Sequence, residues 1–171
     1  MKIYGFSYDK LNEDPYLVLE LLDNRGCLYD YLYRSGNYFY MEEKINIFFS
    51  IVKAVKDMHD KNYCHSDLKT DNLVYYNDFK KDKKYVKLID FNHVTKIKNN
   101  YEEIDNIYGT YGYCAPEQFG KEKYICLKSD IYSLGIILLE ILYNNELWDT
   151  NYYSYQRYRK SILENLEKFK K

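Results

Sequence analysis

A chain of 171 residues, 46% hydrophobic and 19% aromatic, has the length and apolar content of one domain with a packed core. Its 25 basic and 26 acidic side chains nearly cancel, so no global field draws it to nucleic acid or to an anionic membrane surface. Four cysteines without a C-x-x-C pair, a start without a secretory pattern and a longest apolar stretch (134–142) too short to cross a bilayer make a cytoplasmic location the expectation, with no membrane contact. The 23 tyrosines accompany much Asn, Lys and Ile, all with A/T-rich codons, and read as compositional bias without a function.

Residues 16–22, Tyr-Leu-Val-Leu-Glu-Leu-Leu, have the length and character of a buried strand, and Asp23-Asn24-Arg25-Gly26 then supplies turn chemistry. From Met41 to His59, Ile45, Phe48, Phe49, Val52, Val55 and Met58 recur at helical spacing, with Glu42, Glu43, Lys44, Lys53 and Lys56 on the other side. That pattern predicts an amphipathic helix. Residues 73–76 and 85–89 predict two short strands joined by a Lys-rich turn over 80–84. Residues 92–128 show no sustained periodicity, and a long irregular segment in a compact domain implies a use. Ser129 and Asp130 are placed to cap a helix whose Ile131, Leu134, Ile136, Ile137, Leu138, Leu139, Ile141 and Leu142 are apolar nearly all round, the expected buried axis. A last helix is expected over 152–169.

Within His65-Ser66-Asp67-Leu68-Lys69-Thr70-Asp71-Asn72, the groups of Asp67, Lys69 and Asn72 sit on a loop held by regular structure at both ends, the usual display of catalytic residues. Asp90-Phe91-Asn92 places another carboxylate at the end of the second predicted strand. An Asn amide and a carboxylate are hard oxygen ligands suited to magnesium, which takes its other ligands from water and substrate phosphates. Metal-assisted phosphoryl transfer is the chemistry these residues support. A zinc site from His59, Cys64 and His65 is disfavoured, because structural zinc wants four ligands.

The pattern His65-Ser66-Asp67-Leu68-Lys69-x-x-Asn72 resembles the catalytic loop of the eukaryotic protein kinase family, and Asp90-Phe91-Asn92 resembles its metal-binding Asp-Phe-Gly. Gly109-Thr110-Tyr111-Gly112-Tyr113-Cys114-Ala115-Pro116-Glu117 resembles the end of the activation segment. Asp130-Ile131-Tyr132-Ser133-Leu134-Gly135 is similar to the start of the family's central buried helix. The resemblance implies an α+β, mainly α, protein kinase-like fold: one partial kinase domain over 1–171, with remnant N-lobe strands and hinge in 1–22 and the C-lobe in 23–171. It implies that Asp67 accepts or orients the attacking hydroxyl, that Lys69 neutralises the transferred phosphoryl, and that Asn72 and Asp90 hold magnesium. Glu20, Leu21 and Leu22 align with the hinge whose backbone groups meet adenine, with Leu19 in front of them and Val74 beneath the ring. Lys69 and Thr110 match the serine/threonine branch. Glu117 closes the Ala-Pro-Glu, and Asp130 is a helix cap and loop brace. ATP and magnesium are the implied cofactors, and a protein Ser or Thr the implied substrate.

Three departures qualify the resemblance. Ser66 replaces an arginine that pairs with a phosphorylated activation loop. Asn92 replaces a glycine, at a residue type that tolerates positive φ. Fewer than 20 residues precede the hinge, and they hold neither G-x-G-x-x-G nor a Val-Ala-x-Lys strand. The arginine expected to pair with Glu117 is missing too, so Glu117 should be exposed, protonated or paired locally. Two readings follow: a Ser/Thr-type protein kinase whose N-lobe parts come from another polypeptide or exon, or a truncated pseudokinase acting as a protein-binding module.

Overall fold

The computed structural model describes residues 2–22, 24–34, 39–78, 83–119 and 121–143. The expected helix over 152–169 and most of the turn over 80–84 lie outside them. The chain opens with β1 (Ile3–Asp9) and β2 (Asp14–Leu19), an antiparallel hairpin that pairs Phe6 with Leu17 and Ser7 with Tyr16. Asp9 builds its turn by accepting the Leu11 N–H and the Asn12 amide, each at 2.8 Å, the side-chain chemistry that reverses a chain. The strand expected over 16–22 is thus shifted toward the N-terminus, and it is not buried: Leu17 is 59% exposed and Val18 45%. This sheet stops at two strands, and strands bury a face only where another layer packs on it.

Where a turn was expected over 23–26, Asn24–Cys27 forms β3 instead and pairs with a later strand. Gly26 adopts φ 108°, which lets the strand bulge between its two paired residues. The short helix α1 (Leu28–Tyr33) follows and buries Leu28 and Leu32. Leu28 and Leu32 stand four apart, but six residues are too short a window for a periodicity reading.

Helix α2 spans Met41–His59 as expected, and the Glu43 carboxylate accepts the Tyr40 N–H to close its first turn. Its buried line is Lys44, Ile47, Ile51 and Val55, a rotation away from the expected face. Ile45 (45%) and Phe49 (66%) are exposed. Lys44, expected on the polar side, runs its stem through the core and donates from Nζ to the Leu142 carbonyl at 2.7 Å. After β4 (Tyr63–Cys64) come β5 (Leu73–Asp78) and β6 (Lys83–Leu88), which complete a three-stranded sheet ordered β3-β5-β6. Leu73, Tyr75, Val86 and Leu88 join the main core, and by alternation Val74 and its partner Lys87 take the other face.

The described residues of 92–126 are irregular apart from β7 (Thr95–Lys96) paired with β4, β8 (Glu102–Glu103) paired with β9 (Tyr124–Ile125), and a 3-10 turn over Pro116–Phe119. Helix α3 (Leu127–Tyr143) begins before the expected cap. Ser129 is its third residue and accepts the Cys126 N–H at 3.2 Å, so neither Ser129 nor Asp130 is the N-cap. The helix is not apolar all round in its packing. Ile137 and Ile141 are fully buried, Ser133 and Glu140 share that burial, and Ile131 is 54% exposed. Among the described residues, no helix is long and apolar enough to cross a membrane.

Candidate active site

Residues 65–72 are strung between β4 and β5 and end in a 3-10 turn over Thr70–Asn72. The shape of this loop is imposed from α3. Asp130, 2% exposed, accepts the N–H groups of His65 (2.8 Å) and Ser66 (3.1 Å) and a hydrogen bond from His59 Nε2 (2.8 Å). The ring of His65 is sealed in the core. Its Nδ1 faces the Asp67 N–H at 3.4 Å and its Nε2 donates to the Ile89 carbonyl at 3.2 Å, which fits the neutral tautomer protonated on Nε2. Burial pushes its pKa below the ordinary histidine value.

Asp67, buried, is the hub of the loop. Its Oδ1 accepts the Thr110 hydroxyl at 2.9 Å, and its Oδ2 lies 3.6 Å from Lys69 Nζ and accepts Asn72 Nδ2 at 3.2 Å. Asn72 Nδ2 also donates to the Asp67 carbonyl at 2.9 Å, and Lys69 Nζ donates to Thr110 Oγ1 at 2.8 Å. The Thr110 hydroxyl therefore accepts from Lys69 and donates to Asp67, closing a ring of carboxylate, ammonium and hydroxyl. Gly109 makes the approach feasible. At φ 96°, a Cβ there would stand 2.6 Å from the Ser66 carbonyl oxygen.

Asp90 lies at the mouth of the β5–β6 hairpin, next to Ile89, whose N–H donates to the Asn72 carbonyl at 3.0 Å. It is exposed, and the positive φ expected at Asn92 occurs at Asp90 instead, at 59°. The Asp90 carboxylate accepts the Asn92 N–H at 3.3 Å, a local bond that makes the left-handed conformation tolerable for an aspartate. Asn72 commits its Nδ2 to Asp67, so its Oδ1 is the atom left for a cation. Among the described residues no group of three or more His, Cys, Asp or Glu forms a cage. An amide oxygen and one carboxylate fit a hard cation that keeps water and phosphate ligands.

The family model described as "Protein kinase domain" matches residues 1–170. The chain belongs to the protein kinase family. It is 37% identical over 131 residues to a probable myosin light chain kinase of Dictyostelium discoideum, covering 77% of this chain and 32% of that protein. It is 34% identical over 132 residues to a serine/threonine-protein kinase of Schizosaccharomyces pombe (77% and 16%), and 36% identical over 142 residues to calcium-dependent protein kinase 5 of Plasmodium berghei (83% and 24%). The chain thus spans less than a third of the length of each of these relatives.

The hinge-like residues of this kinase chain are held by charge. The Glu20 carboxylate accepts Lys87 Nζ at 2.8 Å and the Lys2 N–H at 2.7 Å, and the Lys87 ammonium holds it below the usual carboxylate range. Lys87 shares its face with Val74, so the bridge ties Glu20 to that face. Leu19 and Leu22 are half-buried, Val74 is buried and Leu21 is 94% exposed. The Glu20 N–H is already taken by the Lys2 carbonyl at 2.9 Å. Glu117 is paired locally, accepting the Ser129 hydroxyl at 2.7 Å. Four residues that shape the site had no assigned role in the sequence reading: His59, Gly109, Tyr113 and Glu140. Gly109 and Tyr113 stood only within the activation-segment pattern and His59 only in the disfavoured zinc set, while Glu140 carried no signal. A cavity of about 820 Å³ lined by Ile97, Tyr101, Lys123, Tyr124, Cys126 and Leu127 has none of the predicted site residues in its wall, although Cys126 Sγ lies 3.8 Å from Glu117 Oε1.

Proposed function

We propose that the chain supplies the phosphoryl-transfer machinery of a Ser/Thr-type protein kinase, moving the γ-phosphoryl of ATP to a protein hydroxyl. The observation that carries this reading is the ring of Asp67, Thr110 and Lys69, with Asn72 bonded to the same aspartate. Asp67 takes or orients the proton of the attacking hydroxyl, and Lys69 offsets charge on the transferred phosphoryl. Asn72 Oδ1 and the Asp90 carboxylate would hold magnesium, whose positive charge would offset the negative charge of the phosphates. Because Asn72 also bonds Asp67, the cation site and the proton acceptor share one support. Leu19, Glu20 and Leu22 would line the adenine edge, with Val74 beneath the ring. In this reading residues 1–22 are N-lobe remnant and hinge, 23–171 are C-lobe, and the work is done in the cytoplasm.

The sequence holds no glycine-rich loop and no Val-Ala-x-Lys strand, the parts that position phosphates. Losing such pre-alignment can raise a barrier by roughly 7 to 11 kcal/mol, so these 171 residues by themselves should be nearly inactive, with transfer restored when N-lobe parts are supplied. The test is phosphate incorporation into a generic Ser/Thr substrate by the wild type and by Asp67→Asn, each with and without candidate N-lobe proteins. Transfer that appears with the partner and disappears in Asp67→Asn supports the reading. Equal signals from both proteins, or none with any partner, overturn it.

A second reading, a pseudokinase serving as a protein-binding module, is favoured by the hairpin β1–β2, where Phe6 is 88% and Leu11 93% exposed. Calorimetric titration of ATP separates the two. Binding that needs magnesium and is lost in Asp90→Ala supports the enzyme, whereas no binding under either condition supports the module.

A further inference from the structure

Tyr113 stands behind the site rather than in it. It is 4% exposed, and its N–H donates to the Thr110 carbonyl at 3.0 Å, closing the turn that presents the Thr110 hydroxyl. Its own carbonyl accepts the Ser133 hydroxyl at 2.7 Å, which ties that turn to α3. The phenol reaches further. Its oxygen lies 2.9 Å from Glu140 Oε2 on α3 and 2.9 Å from Thr70 Oγ1 at the start of the turn that carries Asn72. Glu140 is fully buried, and its other oxygen accepts the Tyr33 hydroxyl at 2.9 Å.

The direction of these bonds follows from proton count. A carboxylate only accepts, so the single proton of Tyr113 goes to Glu140, and Thr70 must donate to the Tyr113 oxygen. Burial, reinforced by the facing Glu140 charge, drives the Tyr113 pKa far above the ordinary phenol value, so the hydroxyl keeps that proton. The chain Thr70 to Tyr113 to Glu140 therefore has one polarity, and it joins the two limbs of the site to the same helix: the 70–72 turn and the 110–113 turn.

We propose that Tyr113 is a positioning residue whose hydroxyl, fixed by Glu140, sets the distance between the Asn72 turn and the Thr110 turn. The proposal rests on the phosphoryl-transfer reading only for its effect on nucleotide, and its geometric half stands without it. Tyr33 supplies the internal control, because its hydroxyl bonds the same carboxylate and neither site turn. Loss of a bond to Glu140 as a merely structural event should act alike in Tyr33→Phe and Tyr113→Phe. Loss of positioning should act only in Tyr113→Phe and in Thr70→Val.

The experiment is amide hydrogen exchange of the full chain, read at the Asn72 and Tyr113 N–H groups, with Mg-ATP titration alongside. Both amides should exchange roughly 3- to 10-fold faster in Tyr113→Phe and Thr70→Val, the effect of removing one hydrogen bond, and no faster again in the double variant. In Tyr33→Phe they should be unchanged. Where the wild type binds nucleotide, the enhancement by magnesium should fall in the first two variants and persist in Tyr33→Phe. Equal acceleration in Tyr33→Phe and Tyr113→Phe, no acceleration in Tyr113→Phe, or an intact magnesium enhancement there overturns the proposal. A wild type that binds no Mg-ATP sinks the kinase reading instead, and the exchange comparison still decides the role of Tyr113.

Discussion

His65 carries a pH signature because its ring is buried and neutral. Above the ordinary histidine value of 6.5 both folded and unfolded chains hold the ring neutral, and its packing contributes in full. As pH falls below that value the unfolded chain takes up a proton that the folded ring resists, so stability is lost toward acid. The expected outcome is a denaturation free energy that falls between pH 7 and pH 5 with a slope steeper than that of His65→Gln, by up to about 1.4 kcal/mol per pH unit. Parallel slopes would show a ring that titrates freely. Gly109 makes the other residue-scale prediction. Gly109→Ala forces a methyl to within 2.6 Å of the Ser66 carbonyl at a left-handed φ, so it should cost about 1 to 3 kcal/mol and disperse the Asp67–Thr110 contact, checked by denaturation and by the chemical shift of Thr110. That Asp67, Lys69 and Asn72 would share one loop was legible in the sequence, because few structural demands place those types together; the structure brings all three to one carboxylate. Asp130 was legible as a brace but not in its position, since a Ser-Asp pair reads the same at the cap and one turn into a helix. The left-handed residue was misassigned from Asn92 to Asp90 because backbone angles depend on local bonds that residue type alone does not fix.

At the scale of elements, periodicity located α2 and α3 and left their rotation open. Apolar residues occur on more than one side of α2, so the pattern is degenerate, and packing against β6 and α3 selects Ile47, Ile51 and Val55 over Ile45 and Phe49. The same applies to α3. Ile137→Ala should cost about 2 to 5 kcal/mol as a fully buried large-to-small change, while Ile131→Ala, half exposed, should fall within about 0.5 kcal/mol. Urea denaturation of both variants checks this, and equal costs would mean that α3 is rotated relative to this packing. α1 escaped detection because six residues offer too little period, and β7, β8 and β9 because two-residue strands have none.

Among the described residues the main core lies between α1, α2, α3 and the β3-β5-β6 sheet, a smaller cluster of Cys64, Ile97 and Ile125 is separate from it, and hairpin β1–β2 contributes to neither. Replacing Phe6 and Leu17 by serine should therefore shift stability by no more than about 0.5 kcal/mol per site, while lowering the binding of a hydrophobic dye. A large stability loss would place the hairpin inside the cooperative unit. The order of the four motifs made the family legible from sequence. The exposure of the hairpin was not, because an apolar run announces that it can be buried and says nothing about whether a second layer is present.

The way Asp130 holds the loop has a consequence for which substitutions the chain can absorb. Its carboxylate grips the amide hydrogens of His65 and Ser66, groups that every residue except proline possesses. The grip itself makes no demand on the side chain at position 66, whose restriction comes instead from the backbone: Ser66 has φ 70°, in the left-handed region that bulky residues avoid. A change such as Ser66→Pro strikes the loop's shape twice, since it deletes the amide hydrogen that Asp130 holds and fixes φ at about −65°.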